Sequence, residues 1–457
     1  MSKRNGNVWS RRFEALDDDN EIRRRATSRG IPIHNLADVP TYRVVQQIDE
    51  ALSNLYIPSE AEVGLLRKFV DVARSHCWRR YENRESYLSL LYQPYQQFET
   101  HLIPPHCLTG PAGVGKTALI RALGRVLPSN SELELGPGHP TVNQVAAWSL
   151  EVRTKATLIE MLAPFVGREL GDARRINHGV LSRICAKSIH RSGVGLIVAD
   201  EMQFLTQSAT ANTQITKLLY QLSHLGAPLL FVANYSMCRL LLRRQEQDRQ
   251  RLLTSPSILL PLTPDSDDWR SYLLSIQTVL GQSLKIDLHL DADAVYLMTA
   301  GLKRFVIRLI SLSYGNAWTQ GKRSVRIEDL DNAYESAAYS SNRSQVKAML
   351  SPSHSQQAQQ YSCPFPLPPT QRRAAQTVRD RLRQQELTSK VQQDMMTPAE
   401  RKTAAKSGKV LPSASHGTSA SARSRTKRPP LSAQELMDTE RRRQGGNSRP
   451  RPNEPRT

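Results

Sequence analysis

One segment constrains the fold of this chain more than any other, because residues 110–117, GPAGVGKT, match the pattern GxxxxGK[ST] in full. Glycines let a backbone wrap around phosphates with its N–H groups pointing inward, and the helix that starts near the lysine adds its positive end. A short apolar strand before the segment and the helical pattern ALIRALGRVL after it supply the expected context. The residues predicted to bind nucleotide are Gly110, Pro111, Ala112, Gly113, Val114, Gly115, Lys116, Thr117 and Ala118.

The polar side chains of this pattern predict the cofactors, ATP and Mg²⁺. Lys116 would reach the β- and γ-phosphates, and the Thr117 hydroxyl would bind Mg²⁺. Further along, the apolar run GVGLIVA ends in Asp200 and Glu201. Asp200 would hold Mg²⁺ directly or through water, and Glu201 would polarise the attacking water as general base. The alternative is that these two carboxylates only cap a helix.

Short apolar runs alternate with helical patterns between residues 99 and 264. Such alternation indicates an α/β fold with a parallel sheet covered by helices on both faces, as in P-loop NTPases. The predicted strands are Cys107–Leu108, Val145–Val152, Val194–Ala199, Pro228–Ala233 and Ile258–Leu262.

The rest of the chain divides by composition and pattern. The first 98 residues are polar and helical, with a long helix from Ser59 to Arg80 that starts in a capping box of Ser59 and Glu62. The predicted domains are a helical N-terminal region at 1–98, an ATPase core at 99–264, a helical lid at 265–340 and a largely disordered basic tail at 341–457.

The charge of the chain indicates a polyanionic partner. The formal net charge is +20, and residues 371–457 hold 20 Lys and Arg against 8 Asp and Glu. This tail would either add nonspecific affinity for DNA or fold onto a protein partner.

The five cysteines lie far apart without a CxxC pair, which argues against a disulfide scaffold and fits a reducing cytoplasm. No apolar run approaches the length of a membrane span, and the N-terminus has no secretory pattern. We therefore expect a cytoplasmic protein without a membrane partner.

Four further residues are candidates for the reaction. Asn234 ends the apolar run LLFVAN, where it would orient the lytic water or sense the γ-phosphate; otherwise it is a turn residue. Arg249 and Arg251 are candidates for an arginine that enters a neighbouring subunit's site and stabilises transition-state charge, or else they belong to a solvated basic helix. Arg304, at the start of a lid helix, would reach the γ-phosphate, with Arg308 one turn later as its substitute.

With these features in this order the chain looks like an AAA+ ATPase, and it resembles the TnsC/TniB family of transposition regulators, from about residue 85 to 340. The segment DEMQFL, followed by a helix and LGAPLLFVAN, is the most specific part of this resemblance. The chain departs from relatives that have Gly-Thr where it has Ala233-Asn234. The segments that carry the resemblance are HCLTGPAGVGKTALIRAL, AAWSLEVRTKATLIEMLAPFVG, GVGLIVADEMQFL and LSHLGAPLLFVANYSMCRLL.

The resemblance implies an ATP-dependent regulator that assembles as a ring or helical filament around double-stranded DNA. Such a protein links a target selector to a transposase and disassembles on ATP hydrolysis. The resemblance also implies a bacterial, nucleoid-associated protein. In this family the inner surface of the ring follows the DNA backbone, so the contacts would be independent of sequence and weakened by salt. By resemblance the phosphate contacts come from Arg153, Lys155, Arg174 and Arg175, each of which is otherwise a solvated charge.

Two other functions compete with this one. A helicase or initiator loader of the DnaC/IstB type shares the phosphate loop and the lid arginine. A non-enzymatic adaptor with an inactive nucleotide site is the third hypothesis, and the presence of Lys116, Thr117, Asp200 and Glu201 argues against it.

Overall fold

A computed structural model describes residues 7–34, 36–152, 157–170, 176–200, 202, 211–254, 256–350 and 361–367, and six single positions between 380 and 395. Short 3₁₀ turns connect some of its elements. The helices are α1 Val8–Arg11, α2 Asp19–Ala26, α3 Thr41–Ser53, α4 Glu60–Arg80, α5 Arg84–Leu91, α6 Lys116–Val126, α7 Leu158–Leu170, α8 His178–Ser192, α9 Ala211–Ser223, α10 Tyr235–Leu242, α11 Glu246–Leu252, α12 Asp267–Leu280, α13 Ala292–Thr299, α14 Lys303–Thr319, α15 Ile327–Glu335 and α16 Ser340–Leu350. The strands are β1 His106–Gly110, β2 Ser131–Leu133, β3 Val142–Gln144, β4 Ala147–Glu151, β5 Leu196–Asp200, β6 Leu229–Asn234 and β7 Ser257–Ile258.

Five of the strands form one parallel sheet in the order β4-β5-β6-β1-β7. The strand that leads into the phosphate loop therefore lies inside the sheet, between β6 and β7. Its register with β6 places Gly110 opposite Asn234. Because all five strands run the same way, their carboxyl ends meet at one edge, where ligands of open α/β sheets bind.

Alternating residues of the strands belong to two separate apolar cores. Leu108, Val198 and Leu230 point into a first core with α4, α6 and the lid, whereas Ile197 and Phe231 point into a second core with α7, α8, α9 and α10. The sheet is thus buried on both faces, which confirms the predicted fold class. Continuous apolar strands are needed for this arrangement, because each face loses its contact with water.

The N-terminal helices and the lid share the first core. Helix α3 packs along α14, where a Cβ on Gly315 would lie 2.9 Å from the Val45 side chain, so the helices approach closely. The Ser311 hydroxyl donates to the Asp49 carboxylate across the same contact. Helix α3, which precedes the phosphate loop in the chain, therefore covers one side of the lid.

The structure differs from the predicted elements at several places. Strand β7 ends at Ile258, short of the predicted end at Leu262. Among the described residues after it, the Leu259 N–H still donates to Thr109 O at 2.7 Å. The lid, predicted as helical at 265–340, is interrupted after α15, because the backbone of Ser336 is extended. Strands β2 and β3 form a small antiparallel pair that the apolar pattern did not reveal.

Regular structure also continues past the predicted lid boundary at residue 340. Helix α16 packs on α13 and buries Val346. Beyond it, the segment 361–367 lies against α10, where Arg239 donates to Ser362 O and Phe365 packs on the second core. The sequence between residues 341 and 371 is rich in Ser, Gln and Pro, and this composition predicted neither α16 nor the packing of segment 361–367.

Within the described ranges, no helix combines the length and apolar character that crossing a bilayer requires.

Candidate nucleotide-binding site

The loop between β1 and α6 has a backbone that only glycine allows at three positions. Gly113 and Gly115 have φ of +84° and +109°, in the left-handed region that side chains disfavour. A Cβ on Gly110 would lie 2.4 Å from the carbonyl oxygen of Leu259. The glycines therefore let the chain turn sharply away from β1 and approach the β7 connection.

Helix α6 begins directly after this loop without a side-chain cap. Gly115 is its N-cap residue and offers no side-chain acceptor to the first N–H groups. Uncapped N–H groups at the start of an 11-residue helix, with the positive end of the helix dipole, favour an anion. The described geometry thus fits the phosphate-binding role predicted for residues 110–118.

Lys116 bends back across the loop. Its Nζ donates to the carbonyl oxygens of Gly110 and Pro111, at 2.9 and 3.0 Å. The ammonium group therefore lies on the concave side of the loop, where a charge pair with a phosphate would replace two neutral acceptors.

Asp200 and Thr117, the predicted metal ligands, carry oxygen atoms at the carboxyl end of β5 and in the first turn of α6. Asp200 is half-buried at the carboxyl end of β5, and Thr117 is half-buried in the first turn of α6. A carboxylate and a hydroxyl are ligands that suit Mg²⁺, so the residues present fit the predicted metal. Glu201, the predicted general base, lies outside the described residues.

Asn234 ends β6 beside Gly110 and caps α10. Its Oδ1 accepts from the Met237 N–H at 2.9 Å and from the Ser236 hydroxyl at 2.8 Å. The cap fixes the side chain, and its amide nitrogen has no partner among the residues that the structure describes. Both interpretations of Asn234 are thus compatible with its position, since a capping residue can still present an N–H₂ group.

The lid brings Arg304 to the loop. The backbone N–H of Arg304 donates to Gly113 O at 3.2 Å, and a Cβ on Gly113 would lie 3.4 Å from the Arg304 Cβ. The Arg304 side chain is exposed. A second element of the lid also touches the loop, because Gln345 of α16 donates to Ala112 O at 3.4 Å.

Lys303 and Glu62 form a buried ion pair next to the loop that the sequence did not predict. Lys303 Nζ lies 2.7 and 2.8 Å from the two Glu62 oxygens, and its Cδ would lie 3.8 Å from a Cβ on Gly115. The Glu62 carboxylate also accepts from Ser59 N–H at 2.8 Å, which confirms the predicted capping box of α4. The sequence predicted only this cap and not the ion pair, because Lys303 lies 241 positions from Glu62.

The ion pair lies among aromatic rings. The Lys303 ammonium is 5.1 Å from the ring centre of Tyr56 and 5.6 Å from that of Tyr272. Burial, followed by the charge of Glu62, raises the pKa of both phenols, so both stay neutral. The pair thus connects the N-terminal helices, the lid and the phosphate loop at one point.

Arg249 and Arg251 lie on α11, and both are exposed. Asp248, on the same helix, accepts from the Tyr220 hydroxyl at 2.7 Å and from Arg244 at 3.1 Å, which ties α11 to α9 and to the turn after α10. The exposure of Arg249 and Arg251 permits contact with another subunit and equally fits a solvated basic helix. The predicted DNA contacts at Arg153, Lys155, Arg174 and Arg175 lie outside the described residues.

Comparisons with known proteins agree with this arrangement. Residues 105–241 match the model of a protein family described as AAA domain. No curated protein sequence matches the chain. Together with the sheet order and the loop geometry, the family match confirms the AAA+ P-loop NTPase fold. A domain of this family implies an ATPase at the general level.

Solved structures with similar folds come from proteins of distant sequence. The ORC1 protein of Aeropyrum pernix in complex with DNA is 19% identical with a TM-score of 0.34, and the match covers 60% of this chain and 69% of that one. Cdc6p of Pyrobaculum aerophilum is 16% identical with a TM-score of 0.36, covering 55% and 65%. The RuvB Holliday junction branch migration motor of Thermotoga maritima is 14% identical with a TM-score of 0.31, covering 59% and 74%.

Proposed function

We propose that this protein is an ATP-dependent regulator of DNA transposition. It assembles on double-stranded target DNA, links a target selector to a transposase, and leaves the DNA when ATP is hydrolysed. Its resemblance to the TnsC/TniB family supports the transposition role, and the net charge of +20 supports a nucleic-acid partner. The nucleotide site supports the dependence on ATP.

One observation carries the nucleotide part of the proposal: the lid residue Arg304 donates from its backbone to Gly113 O, at 3.2 Å. Through this bond the exposed side chain of Arg304 lies beside the phosphate loop, which follows strand β1 of the sheet. A triphosphate in the loop would meet Lys116 from one side and Arg304 from the other. The position of the lid would therefore depend on the γ-phosphate, because hydrolysis removes negative charge opposite Arg304.

The remaining groups have defined tasks in this scheme. Asn234 holds a water with its amide nitrogen, Glu201 takes the proton of that water, and Arg249 or Arg251 reaches the site of a neighbouring subunit. Thr117 and Asp200 would hold Mg²⁺, which supplies charge neutralisation at the β- and γ-phosphates. Arg153, Lys155, Arg174 and Arg175 contact DNA phosphates.

Electron microscopy and sedimentation with duplex DNA test this function. Wild-type protein with a nonhydrolysable ATP analogue should form rings or filaments on the DNA, and ATP should allow their release. Lys116→Ala should abolish assembly, and Glu201→Gln should trap the assembled state with ATP. Arg121→Ala, at an exposed position of the same helix α6, is the matched control and should behave like wild type.

A protein that stays monomeric on DNA with every nucleotide would contradict the proposal. DNA binding by the core that is independent of nucleotide would contradict it as well. Capture of a DnaB-type helicase instead of a transposase would support the loader function.

A further inference from the structure

The C-terminal half of α4 exposes a tryptophan between two arginines. The Trp78 side chain is 60% exposed, and it lines a cleft of about 660 Å³ together with Arg74, Ser75 and Arg79. We call this surface the α4 groove. Exposed tryptophan and arginine side chains are the residues most enriched at the energetic centres of protein interfaces.

Local contacts hold the arginines of the α4 groove in place. Arg74 forms an ion pair with Asp17, and Arg79 Nε donates to Ser75 O at 3.3 Å. Arg79 makes no ion pair within the described ranges. The groove therefore combines a large apolar ring with a positive charge that is not neutralised.

The lid exposes a surface of opposite character. Residues 287–293, DLHLDAD, form the end of the connection from α12 and the first two residues of α13, and the Leu290 side chain at their centre is 79% exposed. Three aspartates surround it at positions 287, 291 and 293, with one nearby lysine, Lys285. We call this segment the lid knob.

The lid knob is fixed before any partner binds. The Asp287 carboxylate accepts from the N–H groups of His289 and Leu290, at 2.9 and 3.3 Å, and Asp287 O accepts from Asp291 N–H at 2.9 Å. A preformed loop loses little conformational entropy on binding. Burial and the nearby Asp287 raise the pKa of Asp291. The three aspartates outnumber the one lysine, so the formal charge of the knob is negative.

We propose that the lid knob of one copy docks in the α4 groove of the next copy, with Leu290 against Trp78 and the aspartates facing Arg79. The inference rests on the proposed assembly and names a surface for it. Both surfaces are exposed in the same chain, so neither covers the other within one copy. They are complementary in charge, and a contact between two different surfaces repeats head to tail into a ring or filament.

Two other occupants of the groove fit the observations less well. DNA would satisfy Arg74 and Arg79 but would leave the acidic lid knob without a partner and repelled by phosphates. A different protein would require an acidic apolar segment that this chain already possesses.

Charge reversal at exposed positions tests the contact. Arg79→Glu and Asp293→Arg should each raise the protein concentration needed for assembly on duplex DNA, with the nonhydrolysable analogue, by about tenfold or more. The double variant Arg79→Glu/Asp293→Arg should recover most of that loss. Binding of a fluorescent ATP analogue should stay unchanged in all three, which shows that they fold and that the nucleotide site is intact.

Cross-linking gives a second readout that does not depend on charge. Ser75→Cys and Leu290→Cys, made in separate proteins and mixed under oxidising conditions, should form a disulfide-linked dimer only when nucleotide and DNA are present. Ile31→Cys, at a position whose side chain is 78% exposed, replaces Leu290→Cys in the control mixture and should not cross-link.

The outcomes separate the two proposals. If wild type assembles and the reversed variants assemble equally well, this contact is wrong and the proposed function stands. If the variants assemble normally and only bind DNA less tightly, the groove is a DNA site and the contact is again wrong. If wild type never assembles, the proposed function fails first.

Discussion

Lys303 Nζ lies 2.7 Å from the Glu62 carboxylate, and this buried contact joins the first residue of the lid helix α14 to the N-terminal helix α4. Glu62 is 1% exposed and Lys303 is 11% exposed at their side chains. A charge left alone at such a position is strongly destabilising, whereas removing both charges is often nearly neutral.

We therefore expect Glu62→Gln and Lys303→Met to lower the free energy of unfolding by about 3 kcal/mol each. The double variant should lose clearly less than the two losses combined. Urea unfolding measures all three. Glu335→Gln, which removes an exposed carboxylate paired with Arg343, is the control and should cost less than about 1 kcal/mol. Strictly additive losses would show that the two side chains are not coupled.

Arg304→Ala should lower the turnover number for ATP hydrolysis by about tenfold or more while leaving the thermal midpoint unchanged. The side chain is exposed, so its loss opens no cavity, and the backbone bond to Gly113 persists. Steady-state ATPase assays and thermal unfolding check the two parts. Arg308→Ala, one turn later and also exposed, is the matched control. A larger loss in Arg308→Ala would assign the γ-phosphate contact to that residue.

Two glycine substitutions near the loop should have opposite effects on stability. Gly110→Ala would place a Cβ 2.4 Å from a backbone oxygen, so we expect loss of nucleotide binding and a destabilised sheet. Gly124→Ala lies in helix α6 with no atom within 4 Å of the new Cβ and should stabilise the protein by about 0.5–1 kcal/mol. Urea unfolding distinguishes them. A tolerated Gly110→Ala would mean that the β7 connection can move away.

Two buried histidines should make the protein less stable in mild acid. Burial lowers the pKa of His76 and of His190 to about 4, whereas unfolded histidine titrates near about 6.5. Between the folded and the unfolded pKa, the unfolded chain binds protons at these histidines and the folded chain does not. The free energy of unfolding is therefore highest above the unfolded pKa and falls as the pH decreases. At pH 5 the loss should be roughly 2 kcal/mol per histidine.

Urea midpoints at about pH 7.5 and 5 measure this loss, because most carboxylates titrate lower. His76→Gln should show a smaller difference between the two pH values than wild type. His106 and His178, whose pKa values burial also lowers, act in the same direction. An unchanged difference in His76→Gln would show that His76 is protonated in the folded state.

The local parts of the site could be predicted because their signals are local. The glycines of the phosphate loop, the apolar strands and the carboxylate at the end of β5 all follow from short stretches of sequence. The same holds for the lid arginine, which lies in the first turn of a largely buried helix. The parallel sheet with two covered faces follows from the nearly continuous apolar runs of β5 and β6.

Features that depend on distant residues could not be predicted. Glu62 looked like a capping residue, and nothing near it indicates that Lys303 neutralises it. The segment 361–367 is short and rich in proline, so its contact with α10 has no periodic pattern. Helix α16 has a single fully buried apolar side chain, Val346, which gives too weak a stripe to identify a helix.

The packing of α3 along α14 limits how this ATPase can be reused as a module. Helix α3 buries Val44, Ile48 and Leu52 in this contact. A fusion protein that starts at the phosphate loop would lack α3 and would expose the apolar side chains of the lid that α3 covers. Recombination between related genes should therefore succeed only when the crossover precedes α1 or when both halves of this contact come from the same parent.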